Sequence, residues 1–356
     1  MATYKSPLHE MSMTTPTRFW NDNCSVKDIA FAMEHGAVGA TSNPVLVGAV
    51  LDAELDSYIP LIKKTIADNP TATEDDITWI INEYMVAECA KLLRPVFDKS
   101  GGKEGYISIQ TNAKYYRDAE KTTAQATYFK DIAPNVMVKM PVTAAGIKAI
   151  EESTYNGVIL NATVSFTVPQ ALAVAEAIER GMKRREAEGK PTDHMFPVCT
   201  IMVGRIEDLL KDVANREGIV VDPLALDMSG VAVFKRAYKI YNERGYRTRL
   251  LAAATRHVYH LTEFIGGDIS MTVPPMWIKR FVNSDIKVVD RMDIDVDAGL
   301  IAQLDKHFVD WKRAYEPDGM KPEEFATFGA TQATLTQFLG GYAGTVGTIR
   351  KFMIEG

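Results

Sequence analysis

The chain is poor in cysteine and has no long uninterrupted hydrophobic run. Its three cysteines, Cys24, Cys89 and Cys199, lie far apart and show no spacing typical of a metal site. They are predicted to be reduced, buried thiols, as is usual in the cytoplasm. The N-terminus lacks a basic segment followed by an apolar one, and no run elsewhere is long enough to span a bilayer. These absences predict a soluble cytoplasmic protein that does not act at a membrane.

The chain also lacks an excess of positive charge. Its 40 Lys and Arg residues against 46 Asp and Glu residues give a formal net charge of -6, which provides no general attraction to nucleic acid. An anionic ligand must therefore be bound by a local cluster of basic side chains. No change in composition, proline-rich linker or repeat marks a domain boundary. A single domain over residues 1–356 is expected, with a core at about 18–274 and a helical C-terminal extension at 275–356.

From Arg18 onward, short β-rich segments alternate with longer stretches of helical periodicity. This alternation is typical of βα units around a parallel sheet, and eight strands favour a closed (β/α)8 TIM barrel over an open sheet. The C-terminal extension is expected either to pack on the barrel or to close over its mouth. The predicted strands are Arg18 to Asp22, Ala37 to Thr41, Tyr106 to Thr111, Val136 to Met140, Val158 to Thr163, Pro197 to Val203, Arg249 to Thr255 and Ile269 to Val273.

Local signals also predict several helices between these strands. Thr73 precedes an acidic turn and an apolar-periodic stretch from Ile77 to Val96, as an N-cap residue does. A second periodic stretch begins at Val168 and is predicted to end on Gly181. The barrel is therefore expected to carry helical insertions.

A lysine stands in the middle of an apolar strand, in the segment VMVKMPV that contains Lys139. Burial lowers the pKa of a lysine and so supplies the free amine that attacks a carbonyl group. The structural alternative is a lysine that points outward or extends its ammonium group to solvent.

Polar side chains also stand at the ends of the other predicted strands. In a barrel these ends face one mouth, where active sites are built from several strands. Each residue has a structural alternative, since Asp22 could cap a helix, Asn43 could belong to a turn and Arg256 could pair with a surface carboxylate. The residues at these ends are Asp22, Asn43, Gln110, Asn161, Thr163, Thr200, Arg205, Thr255 and Arg256.

Several motifs together resemble the transaldolase family. ATSNPVL at 40–46 is similar to the family's signature turn, and VMVKMPVTAAGIKAIEE followed by GVILNAT is similar to its lysine strand, next helix and N-x-T strand. VGRIEDLL at 203–210 resembles the phosphate motif of strand six, and the segment 230–257 resembles the longer transaldolases. The resemblance runs from about Phe19 to Pro274, and the segment after Pro275 shows none.

The resemblance implies a Schiff-base mechanism. Lys139 would form an imine with a ketose, Asp22 would exchange a proton with the substrate hydroxyl, and Thr163 would hold a water molecule. Asn43 and Asn161 would bind substrate hydroxyls. A phosphate would be bound by Arg205 and Arg256, helped by Thr200 and Thr255.

Two positions depart from the pattern of the family. Gln110 stands where long transaldolases usually have a glutamate, and glutamine there is similar to the short fructose 6-phosphate aldolases. Glutamine can orient a water molecule in a catalytic site but cannot exchange a proton at neutral pH. Met202 occupies a substrate-binding position that is usually aromatic. The choice between transfer and cleavage therefore stays open.

The favoured function is transfer of a dihydroxyacetone unit from a ketose phosphate to an aldose phosphate, within pentose phosphate and related carbohydrate metabolism. The alternatives are a lyase that releases free dihydroxyacetone, an enzyme for a sulfonated sugar, and a barrel that only binds sugar phosphates. No cofactor or metal is expected. His257 and His260 could share a helix face, but no third ligand is suggested, so packing or solvation is favoured. The expected partners are small sugar phosphates rather than nucleic acid, and a homodimer is compatible with the sequence.

Overall fold

Eight parallel strands form a closed barrel in the computed structural model, which describes residues 4–355. Each strand pairs with the next along the chain, and the last pairs with the first. The α/β TIM-barrel prediction is therefore confirmed. The strands are β1 Arg18–Asn21, β2 Gly39–Thr41, β3 Tyr106–Gln110, β4 Val136–Pro141, β5 Leu160–Thr163, β6 Val198–Met202, β7 Arg249–Ala253 and β8 Ser270–Val273.

Helices surround the barrel and follow its strands. Short 3-10 helices span Ala113–Tyr115 and Pro322–Thr327. The α-helices are α1 Pro7–Thr14, α2 Val26–Glu34, α3 Pro44–Ala53, α4 Leu55–Asp68, α5 Glu74–Lys99, α6 Ala119–Phe129, α7 Ala144–Tyr155, α8 Val168–Ala187, α9 Val203–Glu217, α10 Pro223–Arg244, α11 Tyr259–Thr262, α12 Pro275–Val282, α13 Ala298–His307, α14 Val309–Tyr315 and α15 Gly329–Glu355.

The predicted start of α5 is confirmed, whereas the predicted end of α8 is wrong. Thr73 and Asp76 form a reciprocal capping box at the start of α5. Helix α8 continues through Gly181, because this glycine serves helix packing rather than helix termination. A Cβ atom at Gly181 would lie 2.6 Å from the carbonyl oxygen of Glu151 and 2.7 Å from Thr154 Cβ, both on α7.

Strand geometry explains why a lysine can stand between apolar residues in β4. Successive side chains of a strand point to opposite faces, so Val138 and Met140 are fully buried toward the outer helices while Lys139 faces the barrel interior. The strand register places Gln110 and Asn161 beside Lys139, on β3 and β5 respectively. The alternation within one short strand thus delivers a single polar group to the barrel mouth.

The two ends of the barrel are closed differently. At the N-terminal end, Arg249 Nη1 donates to Glu104 Oε1 at 2.6 Å, and its Nη2 lies 3.1 Å from Asp268. At the C-terminal end, α15 packs across α3, α5 and α9. The C-terminal extension therefore reaches the mouth of the barrel. Among the described helices, none is long and apolar enough to cross a membrane.

Candidate active site

A cleft of about 160 Å³ opens at the C-terminal end of the barrel. All the predicted site residues line it except Gln110, Asn161 and Thr255. The structure thus brings together side chains that lie far apart in the chain, from Asp22 after β1 to Arg256 after β7. The lining residues are Asp22, Asn43, Val45, Leu46, Lys139, Thr163, Thr200, Met202, Arg205, Ala253, Ala254, Arg256, Pro274, Gln337 and Phe338.

Lys139 is buried at the floor of this cleft, with only 5% of the residue exposed. Its Nζ donates to Thr41 Oγ1 at 3.2 Å and to the carbonyl oxygen of Ser42 at 3.3 Å. Burial lowers the pKa of the Lys139 amine from 10.5 to about 8, and the carboxylate of Asp22 only partly opposes this shift. A useful fraction of the amine is therefore unprotonated near neutral pH, as a nucleophile requires.

Asp22 lies immediately after β1 and faces the same cleft, where part of the residue remains exposed. Burial of its carboxyl group raises the pKa of Asp22, while the positive charges of Lys139 and Arg256 oppose the rise. A carboxylate with a raised pKa accepts a proton more readily than an ordinary aspartate. Asp22 and Lys139 therefore form a candidate base and a candidate nucleophile in one cleft.

A buried polar network lies beneath the cleft. Thr200 Oγ1 donates to Asn161 Oδ1 at 2.7 Å, and Asn161 Nδ2 donates to Ser108 Oγ at 3.0 Å. The Asn161 side chain is fully buried, and an amide retains one donor and one acceptor after these two bonds. The network orients Asn161 from both sides, and Ser108 is a member of it that the sequence analysis missed.

Asn43 combines a structural contact with a position at the cleft. Its Oδ1 accepts hydrogen bonds from the backbone N–H groups of Val45 at 2.9 Å and Leu46 at 3.0 Å, which caps α3. The Nδ2 donors of the same amide remain for a ligand. A structural role in the turn and a role in ligand binding are therefore compatible, because Asn43 Oδ1 caps the helix while Nδ2 can donate to a ligand.

Gln110 faces a second, smaller cavity of about 20 Å³, which it shares with Asn82 and Tyr342. Asn43 lines both cavities and lies at the boundary between them. The oxygens Gln110 Oε1 and Asn82 Oδ1 are buried without a hydrogen-bond partner among the described residues. A cavity of this size holds about one water molecule, which is the partner that two such amide oxygens require. The side chain of Thr163 also presents an unpartnered buried hydroxyl, but in the main cleft.

The two predicted phosphate ligands lie side by side but have different partners. Arg256 donates from Nε to Asp208 Oδ1 at 3.0 Å and from Nη2 to Asp208 Oδ2 at 2.7 Å. Arg205 Nη1 lies 4.0 Å from the same carboxylate, and its Nη2 donates to Gln337 Oε1. The hydrogen-bonded Asp208 raises the pKa of Arg256, whereas burial and the neighbouring Arg256 lower the pKa of Arg205. Two guanidinium groups facing one carboxylate leave a net positive site for an anion.

Backbone geometry brings the two arginines together. Helix α9 starts directly after β6, which places Arg205 in its first turn, where the helix dipole also favours an anion. A Cβ atom at Gly204 would lie 2.1 Å from the carbonyl oxygen of Ala254 and 2.7 Å from Arg256 Cγ. Ala254 adopts a left-handed conformation with φ 66°, which costs an alanine roughly 1 kcal/mol. A left-handed alanine and a close backbone approach thus occur together at the candidate anion site.

His257 and His260 lie beside the carboxylate of Glu207, a third potential ligand group that the sequence did not suggest. His257 Nε2 lies 2.8 Å from Glu207 Oε2, and Lys211 donates to Glu207 Oε1. His260 Nδ1 accepts the backbone N–H of Arg256 at 3.1 Å, so the neutral ring carries its proton on Nε2. A metal would need the lone pair of that nitrogen. The cluster therefore forms a hydrogen-bond network centred on Glu207. The sequence did not indicate this contact, because Glu207 lies about fifty positions before the two histidines.

Comparison with known proteins gives a consistent result. Residues 19–324 match the family model described as Transaldolase/Fructose-6-phosphate aldolase, which extends past the resemblance seen in the sequence motifs. A protein named Transaldolase 1 from Streptomyces avermitilis is 29% identical over 251 residues, which are 67% of this chain but only 65% of that protein. Transaldolase 2 from Nostoc punctiforme is 28% identical over 329 residues, covering 78% of this chain and 82% of the relative. Transaldolase from Thiobacillus denitrificans is 30% identical over 246 residues, covering 66% and 67% respectively.

Proposed function

The chain belongs to the transaldolase/fructose-6-phosphate aldolase family, and from this premise we propose that it transfers a dihydroxyacetone unit from a ketose phosphate to an aldose phosphate. The observation that carries the proposal is the buried Lys139, whose pKa is lowered to about 8 in a cleft shared with Asp22 and two arginines. A free amine, a base and an anion site are the groups that such a reaction needs.

In the proposed reaction, Lys139 Nζ attacks the ketose carbonyl carbon, and loss of water produces an imine. Asp22 then removes the proton from the hydroxyl group on the carbon that will become the aldehyde, and the adjacent carbon–carbon bond breaks. The bonding electrons pass into the imine to form an enamine on Lys139. Attack of this enamine on the acceptor aldehyde reverses these steps, and Asp22 returns the proton.

The surrounding polar groups support this sequence in the proposal. The Nδ2 donors of Asn43 and the remaining donor of Asn161 bind substrate hydroxyls. The unpartnered hydroxyl of Thr163 holds the water that carries protons during imine formation and hydrolysis. Arg205 and Arg256 bind the phosphate, with the Thr200 hydroxyl in the same cleft and Met202 as an apolar wall. Thr255 precedes Arg256 in the chain but does not line the cleft, so its predicted contact with the phosphate is not part of the proposal.

The second candidate is a lyase in which the enamine is protonated and released as free dihydroxyacetone. Gln110 favours this candidate, because an amide cannot supply the acid–base function of a glutamate. Arg205 and Arg256 are also compatible with a sulfonated sugar, since guanidinium binds both kinds of oxyanion.

Incubation with fructose 6-phosphate, with and without erythrose 4-phosphate, separates these candidates. Transfer predicts sedoheptulose 7-phosphate and glyceraldehyde 3-phosphate only when the acceptor is present. Release of free dihydroxyacetone without the acceptor would support the lyase instead. Reduction with borohydride in the presence of the ketose should leave a mass adduct on Lys139. If no ketose phosphate gave an adduct, the results would instead support a protein that binds sugar phosphates without catalysis.

A further inference from the structure

The C-terminal helix α15 contributes two side chains to the cleft, although the sequence analysis assigned no function to this segment. Phe338 is 2% exposed and lines the cleft together with Gln337. The helix is anchored on both sides of this position. Gly341 packs directly on α3, where an added Cβ would lie 2.8 Å from Val45 Cγ2, and Tyr342 donates to Asp75 Oδ1 at 2.5 Å.

The position of Gln337 follows from these anchors. Further along the helix, Arg350 pairs with Glu74 at the start of α5. A helix held on α3 and α5 presents Gln337 to the cleft from a fixed backbone. The packing of α15 on α3 and α5 therefore fixes the backbone that carries the Gln337 amide, although the Gln337 side chain itself is exposed.

Gln337 is the closest polar partner of Arg205. Its Oε1 accepts a hydrogen bond from Arg205 Nη2, whereas the nearest carboxylate, that of Asp208, lies 4.0 Å away and is held by Arg256. Arg205 Nε is buried without a partner among the described residues. A neutral amide thus orients Arg205 without neutralising its charge, and the guanidinium keeps donors for a ligand.

We propose that Gln337 is a specificity-determining residue of the anion site. Its carbonyl oxygen positions Arg205, and its amide N–H groups bind the anionic end of the substrate together with Arg205 and Arg256. This proposal rests on the proposed function, because it assigns Gln337 to the same substrate. The ligand chemistry it predicts is a tetrahedral oxyanion, which accepts several converging N–H donors.

The charge of the site explains why an amide is suited to this position. At the anion site itself, the two guanidinium groups of Arg205 and Arg256 and the single carboxylate of Asp208 sum to one net positive charge. A carboxylate in place of the amide would pair with Arg205 and remove that charge. A leucine of similar size would keep the charge but lose both the acceptor for Arg205 and the donors for the ligand.

Inorganic phosphate is the direct probe of this site, because its binding does not depend on catalysis. We expect Gln337→Leu to weaken phosphate binding about tenfold in titration calorimetry, as for one lost charge-assisted hydrogen bond. Gln337→Glu should weaken it further. Gln332→Leu is the matched control, since Gln332 is exposed on the same helix but does not line the cleft. It should bind phosphate as the wild type does.

Kinetics then distinguish ligand binding from a purely structural contribution. Gln337→Leu should raise KM for fructose 6-phosphate while kcat, and the rate with unphosphorylated fructose, change little. Unchanged phosphate affinity in Gln337→Leu, or no phosphate binding by the wild type, would overturn the inference. The proposed function is tested separately by borohydride trapping of dihydroxyacetone on Lys139, because this substrate carries no phosphate. If dihydroxyacetone is trapped on Lys139 of the wild type but Gln337→Leu binds phosphate normally, the inference about Gln337 is wrong while the proposed function still stands.

Discussion

Arg256 and Asp208 form a two-point ion pair, with 3.0 Å from Nε to Oδ1 and 2.7 Å from Nη2 to Oδ2. The planar guanidinium is therefore oriented before an anion arrives, and less conformational entropy is lost on binding. The same pair explains why Arg205 has to take its partner from the C-terminal helix. The hydrogen bond from Arg205 to Gln337 thus links the barrel to α15.

Arg256→Ala should raise KM for phosphorylated ketoses by about 10- to 100-fold, because charge-assisted hydrogen bonds contribute roughly 1.5 to 3 kcal/mol. Turnover of unphosphorylated fructose should change much less. Steady-state kinetics with both sugars measure the difference. Arg244→Ala removes a surface arginine paired with Glu176 and should leave both substrates unaffected. Equal losses for the two sugars would contradict a phosphate contact by Arg256.

Lys139→Met should abolish turnover and borohydride trapping without lowering the melting temperature. The pKa of about 8, against an ordinary 10.5, corresponds to roughly 3 kcal/mol that burial of the ammonium group costs the folded state at neutral pH. Methionine fills similar space without that cost. Calorimetry and intact-protein mass spectrometry measure both effects. Lys148→Met, at an exposed lysine on α7, is the control and should retain the adduct. An adduct surviving in Lys139→Met would assign the nucleophile elsewhere.

The rate should rise with pH up to about 8 and then level off. Below the lowered pKa of Lys139 the fraction of free amine increases with pH, and above it the amine is mostly unprotonated. As pH falls, Asp22 is protonated and can no longer act as a base. Because its pKa is raised, this protonation occurs at higher pH than for an ordinary aspartate. A pH profile of kcat/KM for fructose 6-phosphate checks this. A rate that keeps rising toward pH 10 would show an amine with an ordinary pKa.

The same titration should affect folding stability. Between about pH 8 and the unfolded value of 10.5, the unfolded chain binds more protons at Lys139 than the folded chain. The free energy of unfolding should therefore increase as pH rises through that window, because the cost of burying the Lys139 ammonium group is removed. Comparing denaturant midpoints of the wild type and Lys139→Met across this range isolates the contribution, and parallel curves would argue against it.

Gly204→Ala should destabilise the protein by about 1 to 3 kcal/mol and raise KM for phosphorylated substrates. The added methyl group would lie 2.1 Å from the carbonyl oxygen of Ala254 and would push β7 and Arg256 away from α9. Gly340→Ala is the matched control on α15, because no atom of residues 4–355 lies within 4 Å of its added Cβ, apart from its own helix backbone and chain neighbours. It should be neutral or stabilise the helix by up to about 1 kcal/mol. A Gly204→Ala protein with wild-type KM and melting temperature would refute the close-approach argument.

The barrel and much of the cleft could be predicted because their signals are local. Alternating apolar runs and helical periods identified all eight strands, and the apolar neighbours of Lys139 marked it as unusual. The end of α8 could not be predicted in this way. Gly181 has the local appearance of a helix terminator, and only the contact with α7 shows that it is a packing residue.

The neighbours of the arginines were missed for a similar reason. Glu207 and Asp208 follow Arg205 in an ordinary helical pattern, and nothing in that pattern indicates that they contact His257 and Arg256. Gln110 presents the converse case. The sequence predicted only that Gln110 lies at a strand end facing the barrel mouth. The register of β3 and β4 sets it beside Lys139, but its side chain opens onto a separate small cavity with Asn82.

The sequence by itself determined the eight strands of the barrel, the apolar neighbours of Lys139 and the set of polar groups at the strand ends. These follow from the two-residue and 3.6-residue periods, which depend on neighbours a few positions away. Only the tertiary structure decided which arginine Asp208 holds and that α15 brings Gln337 to the cleft. Those contacts join segments far apart in the chain, and their geometry arises from the packing of whole helices rather than from any local pattern.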